Sequence, residues 1–452
     1  MSRGRVAVVG GGLAGIAAAL RCAELGAQVT LLEVRPRLGG AAYSFERDGL
    51  WLDNGQHVFL RCCTAYRELL RRLGAEQATF MQRRLEIQVL APGGRRGRLR
   101  RDDLPAPLHL AAALARYPFL NASERLAAAR AALAARSLDP DDPALDERSF
   151  GDWLRERGQG PAAMKALWNL IALPTLNLPA GQASLGLAAR VFRTGLLDER
   201  DAGDVGYARA PLGDVHDRPA RGALAEAGVD VRLGWRAAAT FVDAGRRLVL
   251  EGASERLEAD AVVLAVPHDR VGRLLPEGAL PDPAAPGRLG SSPIVNLHVV
   301  YDRAVTQLPF AAAVDSPVQW IFDRTAPAGL ERGQCIAVSL SGAEREMTES
   351  TEHLRDRFLP ALRELLPQAR NARVERFYVT REHQATFRAV PGSRALRAGP
   401  RTAVPGLFLA GAWTDTGWPA TMEGAVRSGF AAADAAARAA ADRAEIPAEA
   451  LA

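Results

Sequence analysis

A glycine-rich turn near the N-terminus restricts the possible folds of this chain more than any other feature. Residues 5–10, RVAVVG, form a continuous apolar run typical of a strand buried on both faces, and residues 13–25 have an alanine-rich helical pattern. Between them, Gly10, Gly12 and Gly15 have the spacing GxGxxG. The first glycine permits a tight turn, the second lets a pyrophosphate approach the backbone, and the third lets helix and strand pack closely. The segment therefore predicts a dinucleotide-binding βαβ unit whose helix N-terminus faces phosphate charge.

The next strand extends this unit and favours one dinucleotide. QVTLLE, residues 28–33, reads as a second parallel strand that ends in Glu33, where a carboxylate accepts hydrogen bonds from ribose hydroxyls. The pattern then continues as Glu33-x-x-x-Arg37-x-Gly39-Gly40. A fingerprint for a nicotinamide dinucleotide alone does not require that extension. The sequence therefore favours FAD over NAD.

Composition excludes several classes of protein. With 452 residues, 48% hydrophobic and 24% charged, the chain has the size and balance of a globular protein with two domains or one composite unit. The net charge of +5 is weak evidence for nucleic-acid binding, because all but one of the 57 basic residues are arginine, a compositional skew. Four cysteines without a CxxC pair or a nearby histidine cluster predict no metal site and fit a reduced, cytoplasmic setting. No transmembrane segment is expected, since the longest charge-free stretch, residues 166–189, carries two prolines and three amide side chains.

Strand patterns later in the chain suggest that its two ends meet. Segments expected to rejoin the first sheet are found at 229–234, 247–252 and 260–267, and another buried strand, 406–413, precedes a helix from 422 to about 443. Residues 294–301 and 334–341 alternate more and predict an antiparallel sheet elsewhere. We therefore expect an α/β fold, with one Rossmann-like domain built from both ends of the chain.

Both ends carry motifs of one superfamily. The segment LFLAGAWTDTGWPATMEGAVRSG, residues 407–429, together with the Glu-x-x-x-Arg-x-Gly-Gly motif, resembles the flavin amine oxidases and carotenoid desaturases. In that superfamily a returning C-terminal segment holds the ribityl chain and the isoalloxazine. Two positions depart from the pattern, with Ala41 in place of Arg and Ala412 in place of Asp or Glu. Two polar flavin contacts are therefore missing. FAD is expected either to use Arg35, Arg37 or Asp415 instead, or to bind less tightly.

The resemblance assigns the cofactor contacts and the domains. The expected contacts are Gly10, Gly12, Leu13, Ala14, Gly15, Glu33, Arg35, Arg37, Gly39, Gly40, Val231, Gly411, Ala412, Thr421 and Met422. FAD is expected to bind non-covalently, because no Cys or His lies between 406 and 429. An FAD-binding domain of the amine oxidase type is expected to comprise 1–75, 205–270 and 400–445. A mixed α+β substrate-binding domain, inserted into it, is expected to comprise 76–204 and 271–399.

A finer resemblance, to the hydroxysqualene dehydroxylases of hopanoid biosynthesis, covers almost the whole chain. It is carried by LDNGQHVFLRCCTAYRELLRRLG at 52–74, LWNLIALPTLNLPAGQASLGLAARVF at 167–192, SPIVNLHVVYDR at 292–303 and WTDTGWPATMEGAVRSG at 413–429. It implies reductive removal of the hydroxyl of hydroxysqualene by reduced FAD, giving squalene. Three alternatives stay open at this point: an oxidative carotenoid desaturase, an amine oxidase, and a flavin-binding scaffold without turnover.

The implied chemistry needs an acid and an apolar pocket with aromatic faces. Asp53 and His57 share a short loop that the resemblance places near the flavin, and either could donate or relay the proton that lets the hydroxyl leave. Asp53 capping a turn and His57 bonded to backbone are the structural alternatives. Trp413 and Trp418 are candidates to face a developing cation, with packing against the flavin as their alternative. His298 is expected to be a core histidine.

The implied lipid substrate raises the question of partners and location. Residues 83–101 contain an arginine cluster beside the apolar stretch 104–120, a combination that can dock at an anionic lipid surface. A solvated basic loop beside a core helix is the alternative. A cytoplasmic protein peripherally associated with the inner face of the membrane is expected. No second GxGxxG is present, so the electron donor is expected to be an external protein or a transiently bound NAD(P)H.

Overall fold

The computed structural model describes residues 4–243, 247–253 and 255–444. Residues 1–3, 244–246, 254 and 445, which the sequence assigns to the FAD-binding domain, lie outside the described residues. In chain order the strands are Arg5–Val9 (β1), Gln28–Glu33 (β2), Ser44–Arg47 (β3), Leu50–Asp53 (β4), Val58–Leu60 (β5), Thr79–Met81 (β6), Glu86–Leu90 (β7), Arg96–Arg100 (β8), Val205–Ala208 (β9), Asp230–Leu233 (β10), Ala237–Val242 (β11), Leu248–Gly252 (β12), Arg256–Ala259 (β13), Ala261–Leu264 (β14), Ser291–Tyr301 (β15), Phe310–Ala313 (β16), Trp320–Asp323 (β17), Gln334–Ser341 (β18), Val374–Phe387 (β19) and Leu407–Leu409 (β20).

The α-helices lie mainly in two groups, around the first sheet and in the segment from 111 to 192. They are Leu13–Glu24 (α1), Thr64–Arg72 (α2), Ala111–Ala115 (α3), Ala122–Arg136 (α4), Phe150–Arg155 (α5), Pro161–Ala163 (α6), Asn169–Leu176 (α7), Leu185–Phe192 (α8), Leu212–Val215 (α9), Asp217–Glu226 (α10), His268–Val271 (α11), Glu344–Thr348 (α12), Thr351–Leu365 (α13) and Met422–Ala444 (α14). None of these helices is both long enough and apolar enough to span a bilayer.

A five-stranded parallel sheet joins both ends of the chain. Its strand order is β10-β2-β1-β14-β20, and Val8 lies between Leu31 and Val263. These strands are apolar because helices cover both faces of a parallel sheet. Helices α1 and α14 pack against each other so closely that a Cβ at Gly429 would lie 2.2 Å from the Ala14 carbonyl oxygen. The predicted α/β fold with a Rossmann-like unit is confirmed.

One strand predicted for this sheet belongs to another. Residues 248–252 form the middle strand of an antiparallel sheet, β11-β12-β13, instead of returning to the first sheet. Neighbouring strands in a parallel sheet need a crossover of about a dozen or more residues, whereas β11, β12 and β13 are joined by connections far shorter than that. The apolar run of Leu248, Val249 and Leu250, all three buried in the structure, made the segment resemble a central parallel strand.

The second large sheet combines two distant parts of the chain. Its strand order is β19-β15-β18-β17-β16-β7-β8, and β15 pairs antiparallel with both β18 and β19. The predicted antiparallel pairing of 294–301 with 334–341 is confirmed by the pair Ile294 and Ser341. Strands from both 76–204 and 271–399 share this sheet. That sharing supports our proposal that these two segments form one substrate-binding domain.

The loop between β4 and β5 lies where the two large sheets meet. The Asn54 carbonyl oxygen accepts hydrogen bonds from Asn296 Nδ2 on β15 at 3.1 Å and from Thr380 Oγ1 on β19 at 3.0 Å. The Asn54 side chain also binds the loop that contains Gly39 and Gly40, because its Nδ2 donates to the carbonyl oxygen of the next residue, Ala41, at 2.8 Å. Residues 53–57, here called the DNGQH loop, are thus fixed between the nucleotide-binding unit and the seven-stranded sheet.

Candidate functional site

A continuous cavity of about 1260 Å³ runs from the carboxyl ends of the parallel strands to the seven-stranded sheet. Ligands of open α/β sheets bind beyond the carboxyl ends of the strands, and a single small-molecule pocket usually occupies roughly 300–1,000 Å³. The cavity is therefore large enough for a cofactor and a substrate together. The predicted cofactor contacts that line it are Gly10, Gly12, Leu13, Ala14, Glu33, Arg35, Gly39, Gly40, Gly411, Ala412, Thr421 and Met422.

The glycines of the first turn have separate structural roles. Gly10 adopts a φ of +107° at the end of β1, which favours glycine. A Cβ at Gly15 would lie 1.8 Å from the Gly10 carbonyl oxygen, so Gly15 permits contact between helix and turn and does not line the cavity. At Gly12 a Cβ would meet only the Gly40 Cα, at 3.7 Å, and would otherwise point into open space. Gly12 is therefore the glycine whose missing side chain leaves room for a ligand.

Glu33 lies beside this turn with its carboxylate nearly buried. One oxygen accepts from the Gly11 N–H at 2.6 Å and the other from the Arg35 N–H at 2.7 Å. The side chain is 7% exposed, and it lines the cavity. Each carboxylate oxygen can accept more than one hydrogen bond, so Glu33 can hold the turn and still accept from a ribose hydroxyl.

Besides Gly15, two of the predicted cofactor contacts do not line the cavity, for identifiable reasons. The Arg37 guanidinium stacks 3.6 Å from the centre of the Tyr43 ring and donates to the Gly40 carbonyl oxygen at 3.0 Å. Arg37 therefore stabilises the loop at Gly39 and Gly40. Val231 lies on β10, an edge strand of the first sheet, where it pairs with Leu31, and it does not line the cavity. Of the alternatives for the missing polar contacts, Arg35 lines the cavity, whereas the Asp415 carboxylate lies 3.3 Å from Arg394.

The two tryptophans of the C-terminal segment take different positions. Trp413 lines the cavity, is 4% exposed, and donates from its Nε1 to the Val266 carbonyl oxygen at 2.9 Å. Trp418 does not line the cavity; it packs against the apolar core of the first domain, with the Arg427 guanidinium 5.0 Å from its ring centre. The geometry supports a site role for Trp413, and a packing role for Trp418.

Asp53 is held by three groups and points away from the main cavity. Its carboxylate accepts from Ser44 Oγ at 2.6 Å, from the Leu212 N–H at 3.0 Å and from the Arg324 guanidinium at 2.6 Å. It lines a separate pocket of about 10 Å³, of which Arg324 and His57 are also part. A buried carboxylate that accepts three hydrogen bonds in this way has a structural role, so the geometry argues against Asp53 as the proton donor.

His57 lies between the small pocket and the main cavity. It lines both, and burial lowers the pKa of its imidazole to about 4, with Asp53 acting in the opposite direction. His298, expected to be a core histidine, is buried nearby, and burial lowers its pKa to about 4 as well. His216 is buried, its Nε2 lies 2.8 Å from the Tyr66 hydroxyl, and burial lowers its pKa to about 3. All three are therefore neutral at pH 7.

Several lining residues carry no motif and were missed. They come from the turn after β14, from around the start of β11 and from β19; the principal ones are Trp235, Ala237, Ala265, Val266, Pro267, His268, Glu382, Gln384 and Phe387. Four other lining residues lie in segments that carry the resemblance but were given no role: Pro174, Thr175, Asn177 and Ile294. The strand-end rule could have found the turn after β14, because 260–267 already read as a buried strand. The others depend on how the two sheets are placed together.

The residues present fit FAD. The N-termini of α1 and α14 both open onto the cavity, through Leu13 and Met422, and helix N-termini attract phosphate and electron-rich groups. The pyrophosphate of FAD would occupy the open space at Gly12, and the ribose hydroxyls would donate to the acceptor oxygens of Glu33. The Gly411 N–H donates to Ser428 Oγ at 2.8 Å, which fixes the start of the segment 411–418 at the cavity wall. No group of three or more potential metal ligands occurs within the described residues.

Comparisons with known proteins agree with this site. The family model described as flavin containing amine oxidoreductase matches residues 13–437. Hydroxysqualene dehydroxylase of Rhodopseudomonas palustris is 32% identical over 95% of this chain and 97% of its own, and a probable zeta-carotene desaturase of Synechococcus elongatus is 26% identical over 95% and 98%. A putrescine oxidase structure with bound putrescine aligns with a TM-score of 0.73 at 21% identity, covering 98% of this chain and 100% of that one. That last likeness concerns the fold alone. This chain belongs to the flavin-containing amine oxidoreductase family and is an FAD-dependent oxidoreductase.

Proposed function

We propose that this protein removes the hydroxyl group of hydroxysqualene reductively and releases squalene. The observation that carries the proposal is the full-length similarity to relatives named hydroxysqualene dehydroxylase. In the balanced reaction the C–O bond breaks, the oxygen leaves as water after taking up a proton, and hydride forms the new C–H bond. Reduced FAD, when bound, supplies that hydride and is oxidised.

The cavity wall beyond the nucleotide-binding turns suits a hydrocarbon chain. Pro174 from α7, Ile294 from β15, Phe387 from β19 and Trp413 line it. Phe387 is 2% exposed, so its ring is part of the packed core as well as of the wall. These side chains exclude water from the reacting carbon, and the Trp413 ring offers a π face to positive charge that develops there.

The proton must reach the leaving oxygen from a polar group at the same wall. We propose that His57 holds and relays this proton, because it lines the cavity and is neutral at pH 7. A neutral imidazole relays a proton when one ring nitrogen gives its N–H proton to the leaving oxygen and the other nitrogen takes up a proton, here from solvent on the side of the small pocket. Asp53, paired with Arg324, then serves to hold the DNGQH loop in place.

A second polar pair at the wall is an alternative proton source. The Tyr43 hydroxyl donates to Glu382 Oε1 at 3.1 Å, and both residues line the cavity. Burial raises the pKa of the Tyr43 phenol, with Glu382 acting in the same direction, so the proton stays on tyrosine at neutral pH. Replacing His57 and Tyr43 separately distinguishes the two routes.

We further propose that the protein is cytoplasmic and associates peripherally with an anionic membrane surface, where its substrate resides. Among the most exposed large apolar side chains are Leu104, Leu108, Leu126 and Leu133, which are 50–56% exposed. Arg130 and Arg136 are exposed on the same helix as Leu126 and Leu133, and neither forms an ion pair with another described residue. Exposed leucines interspersed with free arginines suit the interface of an anionic bilayer.

The predicted arginine cluster at 83–101 is less suited to this role. Arg98 and Arg100 pair with Glu86, and Arg95 pairs with Asp315. Arg101 is buried against Asp204. These pairs leave little free charge for lipid, so the proposed surface moves from the cluster to α4 and the segment before α3.

A substrate panel tests the proposed function. The purified protein, loaded with FAD and supplied with a chemical reductant, is incubated with hydroxysqualene, phytoene and a set of primary amines, and the products are identified by mass. Squalene from hydroxysqualene alone supports the proposal. Dehydrogenated phytoene, formed with an electron acceptor in place of the reductant, would assign the protein to the carotenoid desaturases. Aldehyde from an amine, again formed with an electron acceptor in place of the reductant, would also overturn the proposal.

A further inference from the structure

We propose that Arg397 is a positioning residue for FAD, whose guanidinium fixes the C-terminal turn and raises the reduction potential of the bound flavin. This inference depends on FAD binding and not on the identity of the substrate. It comes from one buried side chain that binds the backbone of the segment 411–418, here called the C-terminal turn. The sequence motifs do not include it.

The guanidinium donates hydrogen bonds to three carbonyl groups of the C-terminal turn. Its Nε donates to the Trp413 carbonyl oxygen at 3.0 Å. One terminal nitrogen donates to the carbonyl oxygens of Thr414 at 2.6 Å and Trp418 at 2.7 Å. Because the turn begins with Gly411 and Ala412 at the cavity wall, fixing its far side also fixes the cofactor contacts. A planar fork of five donors suits this task, whereas a lysine ammonium does not reproduce the fork.

The same guanidinium lies directly behind the cavity wall. Its central carbon is 4.9 Å from the centre of the Phe387 ring, and Phe387 lines the cavity. Arg397 itself is 6% exposed. One aromatic ring thus separates a buried cation from the space in which the cofactor and substrate are held.

The charge of Arg397 is not cancelled by an ion pair. Within the described residues it has no carboxylate within 4.0 Å, and the nearby Asp415 carboxylate binds Arg394 and the Gly417 N–H instead. Burial lowers the pKa of Arg397 to about 10, with Asp415 and Asp146 acting in the opposite direction, so the group stays charged at pH 7. Carbonyl groups satisfy its hydrogen bonds but carry no net charge. In a poorly screened interior such a cation acts over distances of several ångströms.

Reduction adds electron density to a flavin ring, so a fixed cation nearby favours the reduced state. The test is the reduction potential of bound FAD, measured against reference dyes. Removing the charge in Arg397→Met should reduce the preference for the reduced state about tenfold, which is about 30 mV for a two-electron couple. Arg397→Lys keeps the charge and should change the preference for the reduced state by less than threefold. It should nevertheless release FAD at least tenfold faster, because the three carbonyl contacts are lost. This split between potential and release separates an electrostatic effect from general loosening.

Two further variants keep the inference falsifiable if Arg397→Met does not fold. Asp415→Asn removes a negative charge near Arg397 and should shift the potential upward, opposite to Arg397→Met. Arg438→Met removes one exposed arginine from α14 and should leave the potential unchanged. An Arg397→Met protein with the same potential as the parent would overturn the inference. If Arg397→Met does not fold, an Asp415→Asn protein with the same potential as the parent would overturn it. Equal loss of potential in Arg397→Lys and Arg397→Met would also contradict it. Because no substrate is used, failure here leaves the proposed dehydroxylation untouched.

Discussion

The Asp53 carboxylate accepts a hydrogen bond from the Arg324 guanidinium at 2.6 Å, and both side chains are buried. The contact joins the end of β4 to the residue after β17, so it ties the DNGQH loop to the seven-stranded sheet. Arg324 also donates to the Ala208 carbonyl oxygen at 2.6 Å. Asp53 therefore supports His57 by holding its loop, and the two residues differ in what their substitution should do.

Asp53→Asn should destabilise the protein. Removing one partner of a buried ion pair typically costs about 3–5 kcal/mol, because the other charge stays buried and unpaired. We expect a lower melting temperature, with activity lost in proportion to the folded fraction. The double variant Asp53→Asn with Arg324→Met should cost less than the sum of the two single variants. An unchanged melting temperature, combined with a loss of turnover of a hundredfold or more, would instead make Asp53 the proton donor.

His57→Gln should keep FAD and lose turnover by roughly two to four orders of magnitude, the usual contribution of general acid and base catalysis. The pKa of His57 lies near 4, so the imidazole stays neutral as the pH rises through 6.5. Turnover should therefore show no loss centred near pH 6.5. Rates of the parent and of Tyr43→Phe, measured from pH 5 to 8, provide the comparison. A parent profile that falls near pH 6.5 and becomes flat in His57→Gln would contradict the neutral relay.

Gly12→Val should fold but fail to hold FAD. A Cβ at position 12 meets no protein atom closer than 3.7 Å and points into the cavity, so its cost falls on the ligand. Gly15→Val is the matched control, because a Cβ there would lie 1.8 Å from the Gly10 carbonyl oxygen and should disrupt the fold itself. Circular dichroism and flavin absorbance report folding and occupancy separately. A folded Gly12→Val protein with full flavin content would show that the pyrophosphate does not pass this turn.

Much of this site was predictable because its residues are close in sequence. Gly10, Gly12, Glu33 and Gly411, which the local motifs single out, all line the cavity. The role of Arg37 was missed, since its stacking on Tyr43 depends on the path of the loop between β2 and β3. Arg397 carries no motif, and its contacts to Trp413 and Trp418 form only after the turn has folded over it.

The membrane proposal predicts a specific effect of α4. Replacing both Leu126 and Leu133 with serine should weaken binding to anionic lipid vesicles at least tenfold, because full burial of one leucine contributes about 1.5–3 kcal/mol. Leu25→Ser is the control, since Leu25 is 46% exposed on another part of the surface. Binding is measured by co-sedimentation and should weaken as salt is added. Equal binding by the double variant and the Leu25 control would exclude this surface.

A single turnover without oxygen tests the central claim most directly. The FAD-loaded protein is photoreduced in D₂O and mixed with one equivalent of hydroxysqualene, while flavin absorbance is followed and the product is analysed by mass. We predict that the flavin is reoxidised as squalene forms, with one squalene per flavin and one deuterium at the carbon that lost its hydroxyl. Flavin that stays reduced while hydroxysqualene is recovered unchanged would contradict the account.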